Sequence, residues 1–319
     1  MPSEFALIER YFKRPAPGAV LGVGDDCALL RPTPGHELAV STDLLLAGTH
    51  FLANTDPADL GWKVLAVNLS DLAAMAATPR WATLALALPQ ADEPWIAAFS
   101  RGFFDCARTF GVELIGGDTT RGPLAFCVTI FGEIPAGQAL RRDGARCGDD
   151  IWVSGQPGLA ALGLAHLLGR VVLPEASREP CLSALHRPHP RIALGLALRD
   201  RAHAAIDVSD GLLADLGHIL VASGLAARLH WQHLPRAALE ATANSDLARE
   251  CLLGGGDDYE LVFTAPPALR DDIATLTPSL GLELSCIGTL TDGNPGHILL
   301  EDPQGRPMTP GRYGYDHFA

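Results

Sequence analysis

The amino-acid sequence predicts a mixed α/β chain divided into two domains. Its 319 residues are 48% apolar and 19% charged, enough to fill two cores and too apolar for a disordered chain. Runs with strand-like alternation recur between runs with helical spacing, the pattern of layered α/β architecture. A polar stretch from Glu133 to Asp150, holding Pro135, Gly137, Gly144 and Gly148, interrupts that pattern. It puts the boundary near residue 137, giving expected domains of 1–137 and 138–319.

In chain order, Glu4–Phe12 reads as a short helix, Leu38–Thr42 as a strand and Pro57–Ala77 as a long helix. Trp81–Leu88 alternates as a strand. Glu93–Phe110 places Trp95, Phe99, Phe103 and Cys106 on one helical face, and Leu124–Phe131 reads as a buried strand. Past the boundary, the expected strands are Ile151–Ser154, Ala205–Val208 and Tyr259–Thr264. The expected helices are Leu159–Leu168, Pro190–His203, Gly211–Ser223 and Pro267–Leu280. The 33 Gly and 24 Pro fit many short elements joined by tight turns.

Charge and composition exclude several classes. A formal net charge of −13 disfavours nucleic acid as a partner, since phosphate backbones require Lys and Arg. No run reaches the roughly 18 apolar residues needed to span a bilayer, so no membrane association is expected. Met1-Pro2-Ser3-Glu4-Phe5 has neither a basic start nor an apolar run, so no signal peptide is expected. The 7 cysteines are scattered without a Cys-x-x-Cys pair, which reads as reduced thiols in a cytoplasmic protein with no zinc site.

The acidic residues carry the chemistry. Gly22-Val23-Gly24-Asp25-Asp26 is a glycine turn with open backbone amides beside carboxylates. Ser41-Thr42-Asp43 ends an apolar strand and offers hard oxygen ligands suited to Mg²⁺, although an Asx-turn would use the same residues. Asp71 lies in an otherwise apolar helix, three residues from Asn68 and on its face. A buried carboxylate there requires compensation, by a metal or by a helix cap. Gly116-Gly117-Asp118-Thr119-Thr120 follows the apolar Val112–Ile115. It reads as a glycine turn baring amides that could cradle phosphate, or as a plain turn between strands. In the second half, Asp207-Val208-Ser209-Asp210-Gly211 leads into a helix that Asp210 could cap. Capping leaves Asp207 unexplained. Gly254-Gly255-Gly256-Asp257-Asp258-Tyr259-Glu260 is a further glycine-rich acidic loop.

Asp26, Asp43, Asp71, Asp118 and Asp207, joined by Asp210, fall outside any solvated helical stripe. Brought together, they would require several divalent cations, and metals bridging carboxylates to phosphate oxygens are what phosphoryl transfer needs. The chain has no P-loop motif, no protein-kinase His-Arg-Asp or Asp-Phe-Gly set, and no Gly-x-Ser-x-Gly. The Gly22–Gly24 pair lacks the third glycine of a dinucleotide fingerprint.

The ordered set GVGDDCALL, STDLLLAGTHF, NLSDLAAMAA, GGDTTRGP, IDVSDGL, GGGDDYEL and a terminal GYDHF resembles the thiamine-monophosphate kinase family over nearly the whole chain. That family sits within an aminoimidazole ribonucleotide synthetase-like ATP-binding superfamily, whose other members share single pieces such as GGDT or SDGL. The resemblance implies ATP-dependent phosphorylation of thiamine monophosphate to thiamine diphosphate, with several Mg²⁺ ions, in a homodimer. It implies the two-domain synthetase-like fold, an N-terminal mixed sheet pairing across the dimer and a C-terminal α/β domain. Carried onto this sequence, Asp26, Ser41, Thr42, Asp43, Asp71, Asp118, Asp207 and Asp210 would hold or approach metal. Gly117, Asp118, Arg142 and Ser209 would contact ATP. His50, Asp257 and Tyr315 would line the thiamine monophosphate site.

One departure is visible. Asp257 stands where many relatives carry Glu in Gly-Gly-Glu-Asp-Tyr-Glu-Leu. No residue stands out as a dedicated general base, so direct in-line attack by the substrate phosphate, with inversion at the γ-phosphorus, is expected. Alternatives are a ligase-like enzyme of the same superfamily and a non-catalytic divalent-cation protein. The second leaves Arg142 and the glycine loops without a role.

Overall fold

Eleven residues of alternating exposure, His36–Leu46, form the edge strand β1 of the first sheet. The computed structural model describes residues 3–311 and 313–318. In sequence order β1 is followed by β2 (Thr78–Leu88), β3 (Glu113–Arg121) and β4 (Ala125–Pro135). The spatial order is β1-β4-β2-β3, with β1 and β2 antiparallel to β4, and β3 parallel to β2. A short helix α1 (Glu4–Leu7) runs into a π-helical turn at Ile8–Phe12. Two 18-residue helices follow, α2 (Pro57–Ala74) and α3 (Glu93–Phe110).

Helix α3 begins where Asp92 accepts the Trp95 amide and ends at left-handed Gly111. It meets α2 backbone to backbone. A Cβ on Gly61 would lie 2.1 Å from Phe99 O, and one on Gly102 would lie 1.8 Å from Ala58 O. Phe126 of β4 stacks on Phe99 of α3 at 4.7 Å between centroids, burying one sheet face. Strand alternation puts Leu38, Val40, Leu44 and Leu46 of β1 on the other face, where all four are exposed.

The second sheet has spatial order β10-β7-β9-β5-β8-β6. Its strands are β5 (Asp150–Ser154), β6 (Ala204–Asp207), β7 (Ala226–His230), β8 (Leu261–Ala265), β9 (Leu284–Thr291) and β10 (Ile298–Glu301). β10 and β7 are parallel and the remaining neighbours antiparallel. Its helices are α4 (Leu159–Leu167), α5 (Glu175–His186), α6 (Ile192–Ala197), α7 (Leu212–Ser223), α8 (Ala237–Glu240), α9 (Ser245–Gly254), α10 (Arg270–Ala274) and α11 (Leu276–Leu280). Ile151, Val153 and Val262 of the sheet share one core with Leu162 of α4, Leu216 and Ile219 of α7 and Leu252 of α9. Two compact units result. One holds the described residues up to 72 together with 77–137, the other 73–76 with the described residues from 138 on.

Both halves are mixed α/β, as the sequence predicts, but five details differ. Gly116–Thr120 is not a turn; it lies inside β3, whose extra residue against Ala82/Thr83 is absorbed as a bulge. The helix expected over Pro190–His203 is only Ile192–Ala197, and that over Pro267–Leu280 is a 3₁₀ turn (Pro267–Leu269) followed by α10 and α11. Helix α5 was hidden by Pro180 in its interior. Strands β7, β9 and β10 lie where the sequence lacks clean alternation. At the β7–β9 pairing, Gly288 comes so close that a Cβ would sit 2.1 Å from Arg228 O.

Candidate functional site

Strand alternation aims Ser41 and Asp43 at the same side of β1. There the Ser41 hydroxyl donates to Asp71 Oδ2 of α2, and Asn68 Oδ1 accepts the Asp43 amide at 3.1 Å. Asn68 is fully buried and its own Nδ2 donates to Val64 O at 3.0 Å, so it clamps β1 onto α2. Burial, and then the negative charge of Asp71, push the Asp43 carboxyl up to about 7. Two carboxylates and a hydroxyl from positions up to 30 residues apart thus form one oxygen-rich cluster.

The other expected residues of this unit sit on β1, on β3 and in the segments flanking β1. Thr42 points to the opposite sheet face, where its hydroxyl meets that of Thr129 at 2.9 Å, its cross-strand partner. Asp26 is exposed in the segment before β1, its amide held by Asp25 Oδ1 at 2.8 Å. Asp118 is exposed on the edge strand β3. Its neighbour Gly117 has φ +150°, and a Cβ there would lie 1.9 Å from Leu84 O. Glycine is required because strands β2 and β3 touch at that point. His50 Nδ1 accepts the Leu46 amide at 3.0 Å, which places the proton of a neutral ring on Nε2. Among the described residues, no three His, Cys, Asp or Glu side chains are arranged to hold a metal.

In the second unit, Asp207 closes β6 and is 5% exposed. Ser209 and Asp210 follow in the turn before α7 and are half-buried. Asp210 is not the cap. The N-cap position is Gly211, and the carboxylate serving it belongs to Asp215, whose Oδ2 accepts the amides of Asp210 at 3.1 Å and Gly211 at 3.0 Å. Burial raises Asp215 to about 7 in spite of those bonds.

The acidic loop 254–260 packs on this turn. The Asp257 amide donates to Ser209 O at 2.9 Å and the Tyr259 amide to Val208 O at 2.8 Å. The Tyr259 hydroxyl donates to Asp257 Oδ1 at 3.1 Å. Asp257 and Tyr259 take left-handed φ of +69° and +52°, which costs about 1–3 kcal/mol each and persists only where the surroundings enforce it. The enforcing contacts flank them. Asp258 Oδ2 accepts the Gly158 amide at the start of α4 at 2.8 Å. Glu260 is gripped by Arg191 at 2.7 and 2.5 Å and by the Ser154 hydroxyl at 2.5 Å. Tyr315 hangs from Asp210 O by its amide at 3.0 Å, its exposed ring edge-on to His317. Arg142 is exposed, whereas the adjacent Arg141 is spent on Asp143 at 2.8 and 2.6 Å.

Residues 24–134 match the family model described as AIR synthase related protein, N-terminal domain. Over 321 aligned residues, 99% of this chain and 98% of the relative, the sequence is 50% identical to the thiamine-monophosphate kinase of Salmonella typhimurium. The chain belongs to the thiamine-monophosphate kinase family. A crystal structure of thiamine-monophosphate kinase from Stenotrophomonas maltophilia K279a is 49% identical, with a TM-score of 0.85 over 95% of both chains. AaThiL complexed with AMPPCP and TMP is 28% identical, with a TM-score of 0.77 over 90% of this chain and 89% of that one. The synthetase-like fold expected from the motifs is the fold of this family member.

For a thiamine-monophosphate kinase family member the cluster of Ser41, Asp43 and Asp71 has a chemical fit to Mg²⁺. Magnesium is usually held by one or two carboxylates, with waters and substrate phosphates filling the rest of its octahedron. A cation there would offset the burial and the Asp71 charge that raise the Asp43 carboxyl. Three residues escaped sequence reasoning. Asp215 reads as an ordinary polar position of an amphipathic helix, and Asp258 is masked by its neighbour Asp257. Arg191 is 69 positions from Glu260, and nothing local pairs them.

Proposed function

We propose that this chain transfers the γ-phosphoryl group of ATP to the phosphate of thiamine monophosphate, forming thiamine diphosphate and ADP. A phosphate oxygen of thiamine monophosphate forms the new bond to the γ-phosphorus as the bond to the β–γ bridging oxygen breaks. No proton need be removed, because a phosphate monoester with its second pKa near 6 is largely dianionic at neutral pH. A dedicated base is therefore unnecessary, and direct attack inverts the γ-phosphorus.

The observation that carries this reading is the cluster of Ser41, Asp43 and Asp71 within a family whose relatives bear the kinase name. Bound Mg²⁺ would neutralise phosphate charge and polarise the transferred group. Asp43, Asp71 and Ser41 would hold it, with Asp26, Asp118, Asp207 and Asp210 as further carboxylates and Thr42 beside Ser41 and Asp43 on β1. Gly117 and Asp118, Arg142 and Ser209 contact ATP, Arg142 as an uncommitted guanidinium fork. His50, Asp257 and Tyr315 line the thiamine monophosphate site, where the Tyr259 hydroxyl steadies the shorter Asp257 side chain. Residues 1–137 form the metal- and ATP-binding, dimerising domain and 138–319 the C-terminal α/β domain.

The protein acts as a homodimer in the cytoplasm. Support for the dimer is the uncovered apolar face of β1, with Leu38, Val40, Leu44 and Leu46 exposed on an edge strand. Support for a non-membrane enzyme is that no helix among the described residues is long and apolar enough to cross a bilayer.

A coupled ADP-release assay with thiamine monophosphate, thiamine and aminoimidazole precursors tests the reading. ADP release should require Mg²⁺ and thiamine monophosphate, and Asp71→Asn should abolish it while the circular dichroism spectrum is retained. Release driven by an aminoimidazole precursor instead would make the chain a ligase-like relative.

A further inference from the structure

None of the roles above uses Asp215, although its carboxyl is among the few buried charges of the second unit. Asp215 is 3% exposed and lies in the first turn of α7. A helix start leaves its first amides without intrahelical partners, and such amides are a ready anion site. Here the amides just ahead of the helix are taken by the helix's own side chain. Asp215 Oδ2 accepts from Asp210 and Gly211 at 3.1 and 3.0 Å, and the Ala214 amide donates to Tyr313 O at 3.1 Å.

The carbonyls of the turn are committed as well. Ser209 O accepts the Asp257 amide at 2.9 Å, and Asp210 O accepts the Tyr315 amide at 3.0 Å. With the Asp210 and Gly211 amides and these carbonyls engaged, the turn has the Ser209 hydroxyl and the Asp210 carboxylate to offer a ligand.

We propose that Asp215 is a positioning residue, an internal anion that plugs the turn ahead of α7 and fixes Ser209 and Asp210 for a metal-bound nucleotide. This rests on the nucleotide-binding reading of Ser209 and Asp210. The turn then contacts ATP through the Ser209 and Asp210 side chains and metal.

The test uses Mn²⁺ with AMPPCP as probe, followed by electron paramagnetic resonance, on Asp215→Asn and Asp215→Ala. An asparagine oxygen can accept the same two amides, so Asp215→Asn should bind the probe nearly as wild type. Asp215→Ala should lose about 10–100-fold in affinity, the usual cost of removing a group that orients metal ligands. Added formate should restore part of that loss by refilling the plugged position. A folded Asp215→Ala that binds as wild type overturns the proposal, as does an Asp215→Asn as weak as alanine. If alanine does not fold, Asp215→Glu replaces it: weakened binding supports the proposal, and unchanged binding overturns it. Wild-type protein that binds the probe but does not phosphorylate thiamine monophosphate would refute the substrate reading and leave this assignment standing.

Discussion

Asp43 is raised from 3.8 to about 7 because burial, and then Asp71, penalise its charge. At about 1.4 kcal/mol per pH unit, that displacement corresponds to about 4 kcal/mol of penalty on the ionised form. Relaxation and residual hydration of a half-buried site reduce the effect to about 1–3 kcal/mol. Because the folded pKa lies above the unfolded one, the folded state binds the extra proton between pH 3.8 and about 7. The penalty is absent below that window, grows through it and is complete above it. Asp43→Asn keeps the amide bond to Asn68 and removes the charge, so in EDTA at pH 8 it should melt higher than wild type. A gain of 1–3 kcal/mol corresponds to a few degrees, at about 2–4 °C per kcal/mol. At pH 5 the gap should shrink to less than half. Mg²⁺ should raise the melting temperature of wild type more than that of the variant, which has lost one of its ligands and so gains less from mass action. Thermal melts by circular dichroism at both pH values, with and without Mg²⁺, measure all of this. A variant that melts below wild type at pH 8, or a gap that widens towards pH 5, refutes the reasoning.

Three further substitutions probe other parts of the account. Gly117→Ala should destabilise the first unit by more than about 2 kcal/mol in urea unfolding, because its Cβ would meet Leu84 O at 1.9 Å. Arg191→Met strands Glu260, whose side chain is 8% exposed, and should cost about 3–5 kcal/mol; the double variant with Glu260→Met should recover most of that, which a double-mutant cycle measures. Val40→Asp puts a charge on the exposed apolar face of β1 and should shift sedimentation from dimer to monomer without loss of secondary structure.

Much of this architecture was legible in the sequence because it rests on local pattern. Helix α3 carries its cap in Asp92, its stop in Gly111 and its apolar face in Trp95, Phe99 and Phe103, so its boundaries could be read directly. Strand β3 could not, because Gly116-Gly117 looks like a turn. The reason for the glycine at 117 is a close contact with Leu84, more than thirty residues away. The same holds at the candidate site. Asp71 stood out as a carboxylate in an apolar helix, and the structure puts it against Ser41. Asp215 did not, since a polar residue on an amphipathic helix needs no explanation until its carboxyl is found folded back onto Asp210 and Gly211. Asp210 looked like the cap for the same reason: sequence spacing fits a side chain capping forward, while the structure caps from inside the helix.

The most direct test is ³¹P nuclear magnetic resonance of a reaction holding the purified chain, ATP, Mg²⁺ and thiamine monophosphate. The account predicts that the coupled resonances of thiamine diphosphate grow in step with those of ADP, and that neither appears when Mg²⁺ is chelated. ADP accumulating with inorganic phosphate and no diphosphate ester, or no turnover at all, would contradict it.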